Sequence, residues 1–134
     1  MRRVTRRMTA FYEPFLQPVG LSLSQYSLLS NLSETAQPLS QLAGRLEMDR
    51  TTLTRNLAPL LERGWVARVK GDDARQRLFR LTPAGRKVRR TAYESWKVAQ
   101  QALEKTLGYE LIADLHRKLD SALAKLKPAM PEEN

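Results

Sequence analysis

Apolar residues recur at helical spacing along most of the chain. Val4, Met8, Phe11, Tyr12 and Phe15 fall at i, i+4, i+7, i+8 and i+11, one face of a first helix. Pro14 weakens its last turn, and Pro18-Val19-Gly20 ends it. Ser22 and Gln25 form an S-x-x-Q capping box, with Leu21 and Tyr26 placed as a hydrophobic staple. The second helix is expected to run to about Leu32, before the polar stretch Ser33–Pro38. Leu39, Leu42, Ala43 and Leu46 mark a short third helix, despite Gly44, which costs about 1 kcal/mol relative to Ala. After a break at Glu47-Met48-Asp49, Asp49 can cap a fourth helix that buries Leu53, Leu57, Leu60 and Leu61. Its opposite face presents Thr51, Thr52, Thr54, Arg55, Ala58 and Glu62. Pro59 removes one backbone bond and should kink this helix, at up to ~3 kcal/mol, before Gly64 stops it.

The period then changes to two. Trp65, Ala67 and Val69 alternate on one face of WVARVK, Gly71-Asp72-Asp73-Ala74 supplies a turn, and Arg77–Thr82 reads as the return strand. Thr82-Pro83 fits a helix N-cap and first position. A long helix follows, with Val88, Ala92, Trp96, Ala99, Leu103 and Leu107 on one face, and Gly108 punctuates it. The last helix carries Leu111, Leu115, Leu119, Leu123 and Leu126, and Pro128 opens a polar tail expected to fray. The class is therefore mainly α with a small β-hairpin wing (α+β). The two terminal leucine stripes suggest an apolar seam for a second copy, since a chain of 134 residues struggles to hide both.

Charge narrows the function. The chain carries 23 Lys and Arg against 14 Asp and Glu, a net of +9. Residues 63–90 alone hold ten basic groups against Asp72 and Asp73, a net of +8 in 28 residues. Self-repulsion disfavours such a segment unless a polyanion is expected to meet it. The absence of cysteine excludes disulfides, thiolate nucleophiles, zinc fingers and thiol redox sensing. One histidine leaves little for a metal cage or a serine–histidine triad, and nothing implies a cofactor. The longest uncharged run, Pro14–Ser33, is long enough to cross a bilayer but too polar for hydrocarbon, through Gln17, Pro18, Gly20, Ser22, Ser24, Gln25 and Asn31. MRRVTRR could open a targeting peptide, yet MTAFYEPFL supplies no long apolar core. A cytoplasmic location without membrane contact is the expectation.

Two short helices around a break, followed by a basic hairpin, make a winged helix-turn-helix pattern. The second helix of such a pair must be polar in its first turns, which enter the major groove. Thr51, Thr52, Thr54 and Arg55 meet that need: hydroxyls bond phosphates or bases, and an Arg binds guanine bidentately. The hairpin tip puts Arg75 and Arg77 on a narrow arm suited to a minor groove. A basic protein-interaction module and a ligand-insensitive DNA-packaging protein are the non-enzymatic rivals. The latter would bind random and specific duplex alike, where a regulator shows roughly 10³-fold discrimination. His116 with Asp114 or Asp120 is the only hint of acid–base or metal chemistry, and a helical surface histidine explains it more simply. Neither a Gly-rich phosphate loop nor a nucleophile elbow is present.

Residues 39–90 resemble the core of the MarR family of bacterial transcriptional regulators, and the order of the flanking helices fits as well. The resemblance rests on the wing motif Asp73-Ala74-Arg75 and the exit Leu81-Thr82-Pro83-Ala84-Gly85. The string Asp49–Arg55 and the turn Glu62-Arg63-Gly64-Trp65-Val66 support it. It implies a homodimer joined through the first, fifth and sixth helices, acting as a repressor on the bacterial nucleoid, on double-stranded DNA at a pseudo-palindromic operator. It also implies that Arg75 enters the minor groove while Asp73 holds the wing, and it makes Pro59 less troubling. The short first helix departs from the family's usual N-terminal dimer contact. Residues and resemblance together give Ser40, Arg50, Thr51, Thr52, Thr54, Arg55, Arg75 and Arg77 as the DNA-binding set, with Asp73 as wing support. The implied domain plan is a DNA-binding lobe at 22–90, dimerisation helices at 1–17 and 91–127, and a flexible tail at 128–134. Many family members are released from DNA by a small aromatic or phenolic ligand where arms meet lobes. Arg7, Phe11, Phe15, Tyr26 and Trp96 are the candidates for such an effector, although aromatics at helical spacing are usually core.

Overall fold

A computed structural model describes residues 1–73 and 75–126, so the expected turn residue Ala74 and the tail 128–134 lie outside the described residues. Among the described residues, six helices and three short strands follow in order: α1 (Arg2–Leu16), a single 3₁₀ turn (Gln17–Val19), α2 (Leu23–Asn31), β1 (Gln37–Pro38), α3 (Leu39–Leu46), α4 (Arg50–Glu62), β2 (Val66–Lys70), β3 (Arg77–Leu81), α5 (Pro83–Leu107) and α6 (Tyr109–Lys125). Among the described residues, no helix is long and apolar enough to cross a membrane.

Local side-chain chemistry sets the boundaries. Gln25 N–H donates to Ser22 Oγ at 3.1 Å and Ser22 N–H donates to Gln25 Oε1 at 3.0 Å, so the capping box fixes the start of α2. Glu47, at φ 51°, turns the chain sharply between α3 and α4. Asp49 then caps α4, which runs through Pro59 to Glu62, and Gly64 at φ 74° accommodates the exit. The Thr82 hydroxyl donates to the Gly64 carbonyl at 2.6 Å and accepts from Gly85 N–H at 3.0 Å. Thr82 N–H meets the Trp65 carbonyl at 3.1 Å. A Cβ at position 85 would overlap that carbonyl oxygen, which explains why glycine follows the cap where the wing joins α5.

The sheet differs from a bare hairpin. Its order is β1-β3-β2, because Gln37 and Pro38, in the stretch that looked only polar, pair antiparallel with Phe79 and Leu78. Pro38 sits on an edge strand, where its missing N–H is tolerated. The phase of β2 also departs from the obvious reading. Trp65, Ala67 and Val69 are half-buried, whereas the core residue is Val66, 2% exposed and paired with buried Leu81.

Two apolar clusters organise the chain. The larger joins Leu21, Leu28, Leu29 and Leu42 with Leu53, Leu57 and Leu60 of α4, Phe79 and Leu81 of the sheet, and Leu16 and Ala92 from the long helices. The smaller joins Tyr12, Ala99, Leu103 and Ile112, with Met8, Phe11, Phe15, Trp96 and Leu107 packed on it. Tyr12 anchors α1 to α5 by donating its hydroxyl to Gln100 Oε1 at 2.5 Å, and burial pushes that phenol above its ordinary value. In α6 only Ile112 is buried; Leu111, Leu119 and Leu123 are 48%, 54% and 64% exposed. Val4, counted with the buried face of α1, is also exposed.

Candidate nucleic-acid interface

The turn between α3 and α4 and the pairing of β1 with β3 bring three separate stretches to one cleft of about 710 Å³. Ser40 comes from the first turn of α3, Arg50, Thr51, Thr54 and Arg55 from the start of α4, and Arg75 and Arg77 from the wing. Seven of the eight residues expected to touch DNA therefore line one concavity, joined by Pro38, Leu39 and Gln76. Four of the lining residues carry guanidinium groups and none is acidic, so its field attracts phosphate. Helix α4 points its N-terminal N–H groups and positive dipole end toward the same region.

Thr52 is placed otherwise. Its backbone N–H donates to Asp49 Oδ1 and its hydroxyl to Asp49 Oδ2, both at 2.8 Å. These bonds favour the ionised carboxylate and hold Asp49 below the ordinary carboxylate range. Because the folded-state value is lowered, the cap acts fully above the ordinary range and is lost as pH falls through the lowered value. Thr52 thus fixes the start of α4 rather than lining the cleft.

The wing tip is built from local bonds. Asp73 Oδ1 accepts from Arg75 N–H at 3.1 Å, and the Asp73 carbonyl accepts from Gln76 N–H at 2.9 Å. Gly71 N–H reaches the Gln76 carbonyl at 3.4 Å. Asp73 therefore shapes the backbone that carries Arg75, whose side chain stays exposed.

Not all of the basic segment faces this cleft. The Arg63 guanidinium lies 4.9 Å from the Trp65 ring centroid and donates to the Gly20 carbonyl, tying the end of α4 to the close of the 3₁₀ turn. Arg89 donates to the carbonyl of Leu32 at 2.7 Å, closing the C-terminus of α2. Charge alone could not separate these structural arginines from the ones in the cleft.

The effector candidates scatter. Phe11, Phe15 and Trp96 pack into the smaller apolar cluster, and Arg7 is exposed on α1. Tyr26 lines an open cleft, of about 450 Å³, with Ser30, Arg86, Arg89, Arg90 and Tyr93. Positions 86, 89, 90 and 93 are i, i+3, i+4 and i+7, so helical periodicity could have found this face. His116 is exposed on α6, next to the ion pair of Arg117 with Asp114.

Comparisons with known proteins agree with this geometry. A family model described as the HVO_A0261 N-terminal domain matches residues 17–104. The HTH-type transcriptional regulator YwoH of Bacillus subtilis (strain 168) is 34% identical over 113 residues, 83% of this chain and 76% of that protein. The Mycobacterium tuberculosis transcriptional regulator MosR, solved in complex with DNA, is 33% identical with a TM-score of 0.74, over 93% of this chain and 95% of its own. MarR of Escherichia coli, in its apo form, is 25% identical at the same TM-score of 0.74, over 91% and 93% of the two chains. Regulators of this kind are not enzymes. A winged helix-turn-helix fold, a cationic cleft at the recognition helix and these relatives lead to one conclusion: this chain belongs to the MarR family and is a DNA-binding transcriptional regulator.

Proposed function

We propose that two copies of the chain bind one pseudo-palindromic operator as a homodimeric repressor, released by a small aromatic acid. The observation that carries the reading is the cleft in which Ser40, Arg50, Thr51, Thr54, Arg55, Arg75 and Arg77 converge. In this reading Thr51, Thr54 and Arg55 contact base edges in the major groove, and Arg50 and Ser40 hold phosphates. Arg75 and Arg77 enter the flanking minor groove, Asp73 sets the wing, and Thr52 acts through the Asp49 cap. Residues 22–90 form the DNA-binding lobe, and 1–17 with 91–127 form the dimerisation arms. The separation of the two apolar clusters and the exposed leucines of α6 support that division. The effector enters the cleft of Tyr26, Arg86, Arg90 and Tyr93, where cations and aromatic faces suit an aromatic carboxylate. The protein works in the cytoplasm, on the nucleoid.

Titration against duplex at several salt concentrations tests the reading. A dimer making about 8 phosphate contacts gives a slope of log K against log salt near −7. A duplex selected from a random library should bind roughly 10³-fold more tightly than unselected DNA. A flat salt dependence, or equal affinity for both duplexes, would contradict a sequence-specific regulator.

A further inference from the structure

The second cleft shares its arginines with the chain segment leading to the DNA cleft. Arg86 Nη1 lies 3.1 Å from Glu34 Oε1, with both side chains about half exposed. Arg89 donates to the Leu32 carbonyl at 2.7 Å and to that of Leu29 at 3.4 Å, both at the end of α2. Immediately downstream, the Ser33 carbonyl accepts from Leu81 N–H at 2.8 Å, and Gln37 and Pro38 pair with β3. Pro38, Leu39 and Ser40 then line the DNA cleft. A short stretch of chain thus starts beside one cleft and ends in the wall of the other.

We propose that the Glu34–Arg86 pair is a latch that keeps this stretch in its DNA-binding arrangement and that an anion in the second cleft opens. The anion part of the proposal rests on the effector reading above. Glu34 and a ligand carboxylate compete for the same guanidinium, because each is an anion drawn to its charge. With Glu34 on Arg86, residues 33–38 are held against the first turn of α5, and the edge strand sets Pro38 to Ser40. When a carboxylate takes Arg86, Glu34 loses its counter-charge while Arg89 keeps α2 closed. The change is then confined to the connection and the cleft wall. An exposed pair contributes little, so the latch tunes affinity by a few fold and is not an all-or-none switch. By linkage, the factor by which the anion weakens DNA binding equals the factor by which DNA weakens anion binding.

Glu34→Gln separates the latch from general electrostatics. Removing a negative charge from a DNA-binding protein should tighten binding, whereas the latch predicts the opposite sign. Against a duplex selected by the wild-type chain, E34Q should bind about two- to fivefold more weakly, with the thermal midpoint unchanged. Benzoate, used as the probe, should bind free E34Q more tightly than wild type by a similar factor. In a double-mutant cycle with Arg86→Gln, the second substitution should add less than it costs alone. Duplex affinity in E34Q equal to or above wild type would overturn the latch. Weakened E34Q with no calorimetric binding of benzoate to wild type would keep the latch and sink the effector reading instead.

Discussion

Arg75→Ala is expected to weaken binding to a selected duplex by about 1–3 kcal/mol per half-site, with the fold intact. On the proposed dimer both wings lose the contact, so affinity should fall roughly 30-fold to 10⁴-fold. The fold should survive because the turn uses the Arg75 backbone and not its side chain: the N–H on Asp73 Oδ1 remains when the guanidinium is removed. The side chain itself is exposed at the rim of a cleft with no acidic lining residue. A guanidinium there gives up little by leaving water and gains the strong negative potential of a narrow minor groove. Quantitative titration at one fixed salt concentration, with circular dichroism of the variant, checks both halves of the expectation. Wild-type affinity in R75A would remove the wing from the interface.

The second large effect concerns the face of α6. Leu119 and Leu123 are 54% and 64% exposed in the single chain, so replacing both with Glu should leave the fold of each protomer near wild type. On dimerisation each leucine that becomes buried contributes up to about 1.5–3 kcal/mol, and two copies bring four of them. Their loss, with four carboxylates placed where an apolar seam should close, should leave monomers at micromolar concentration. A monomer engages one half-site, so duplex affinity should drop by roughly 10³-fold or more. Sedimentation velocity and duplex titration of L119E/L123E read the two consequences separately. A variant that stays dimeric would place the seam elsewhere.

Features set by local chemistry were legible in the sequence. The Ser22–Gln25 box, the Asp49 and Thr82 caps and the stop at Gly64 each depend on side chains within a few residues of the backbone they satisfy. The residues that line the cationic cleft were legible for a related reason. Polar positions opposite the Leu53–Leu57–Leu60 stripe must face away from the core, and a basic hairpin tip must face solvent.

What was not legible depends on distant partners. Strand β1 is two residues long and exists only because β3, some forty residues later, offers an edge. The phase of β2 is fixed by Val66 opposite Leu81 and by the Trp65–Thr82 bond, neither visible in the local alternation. Phe11, Phe15 and Trp96, candidates for a ligand lining, are partly buried against the cluster of Tyr12, Ala99, Leu103 and Ile112, a contact made across helices that spacing alone does not show. Arginines of one segment divide between α2, Trp65, Glu34 and the cationic cleft, and only packing reveals which goes where.

The central claim is that two of these chains together present a pair of cationic clefts to a single double helix. Multi-angle light scattering of the wild-type chain with a selected duplex measures it most directly. The account predicts a complex holding two chains per duplex, and free protein at twice the chain mass. One chain per duplex, persisting as protein is added in excess, would contradict it.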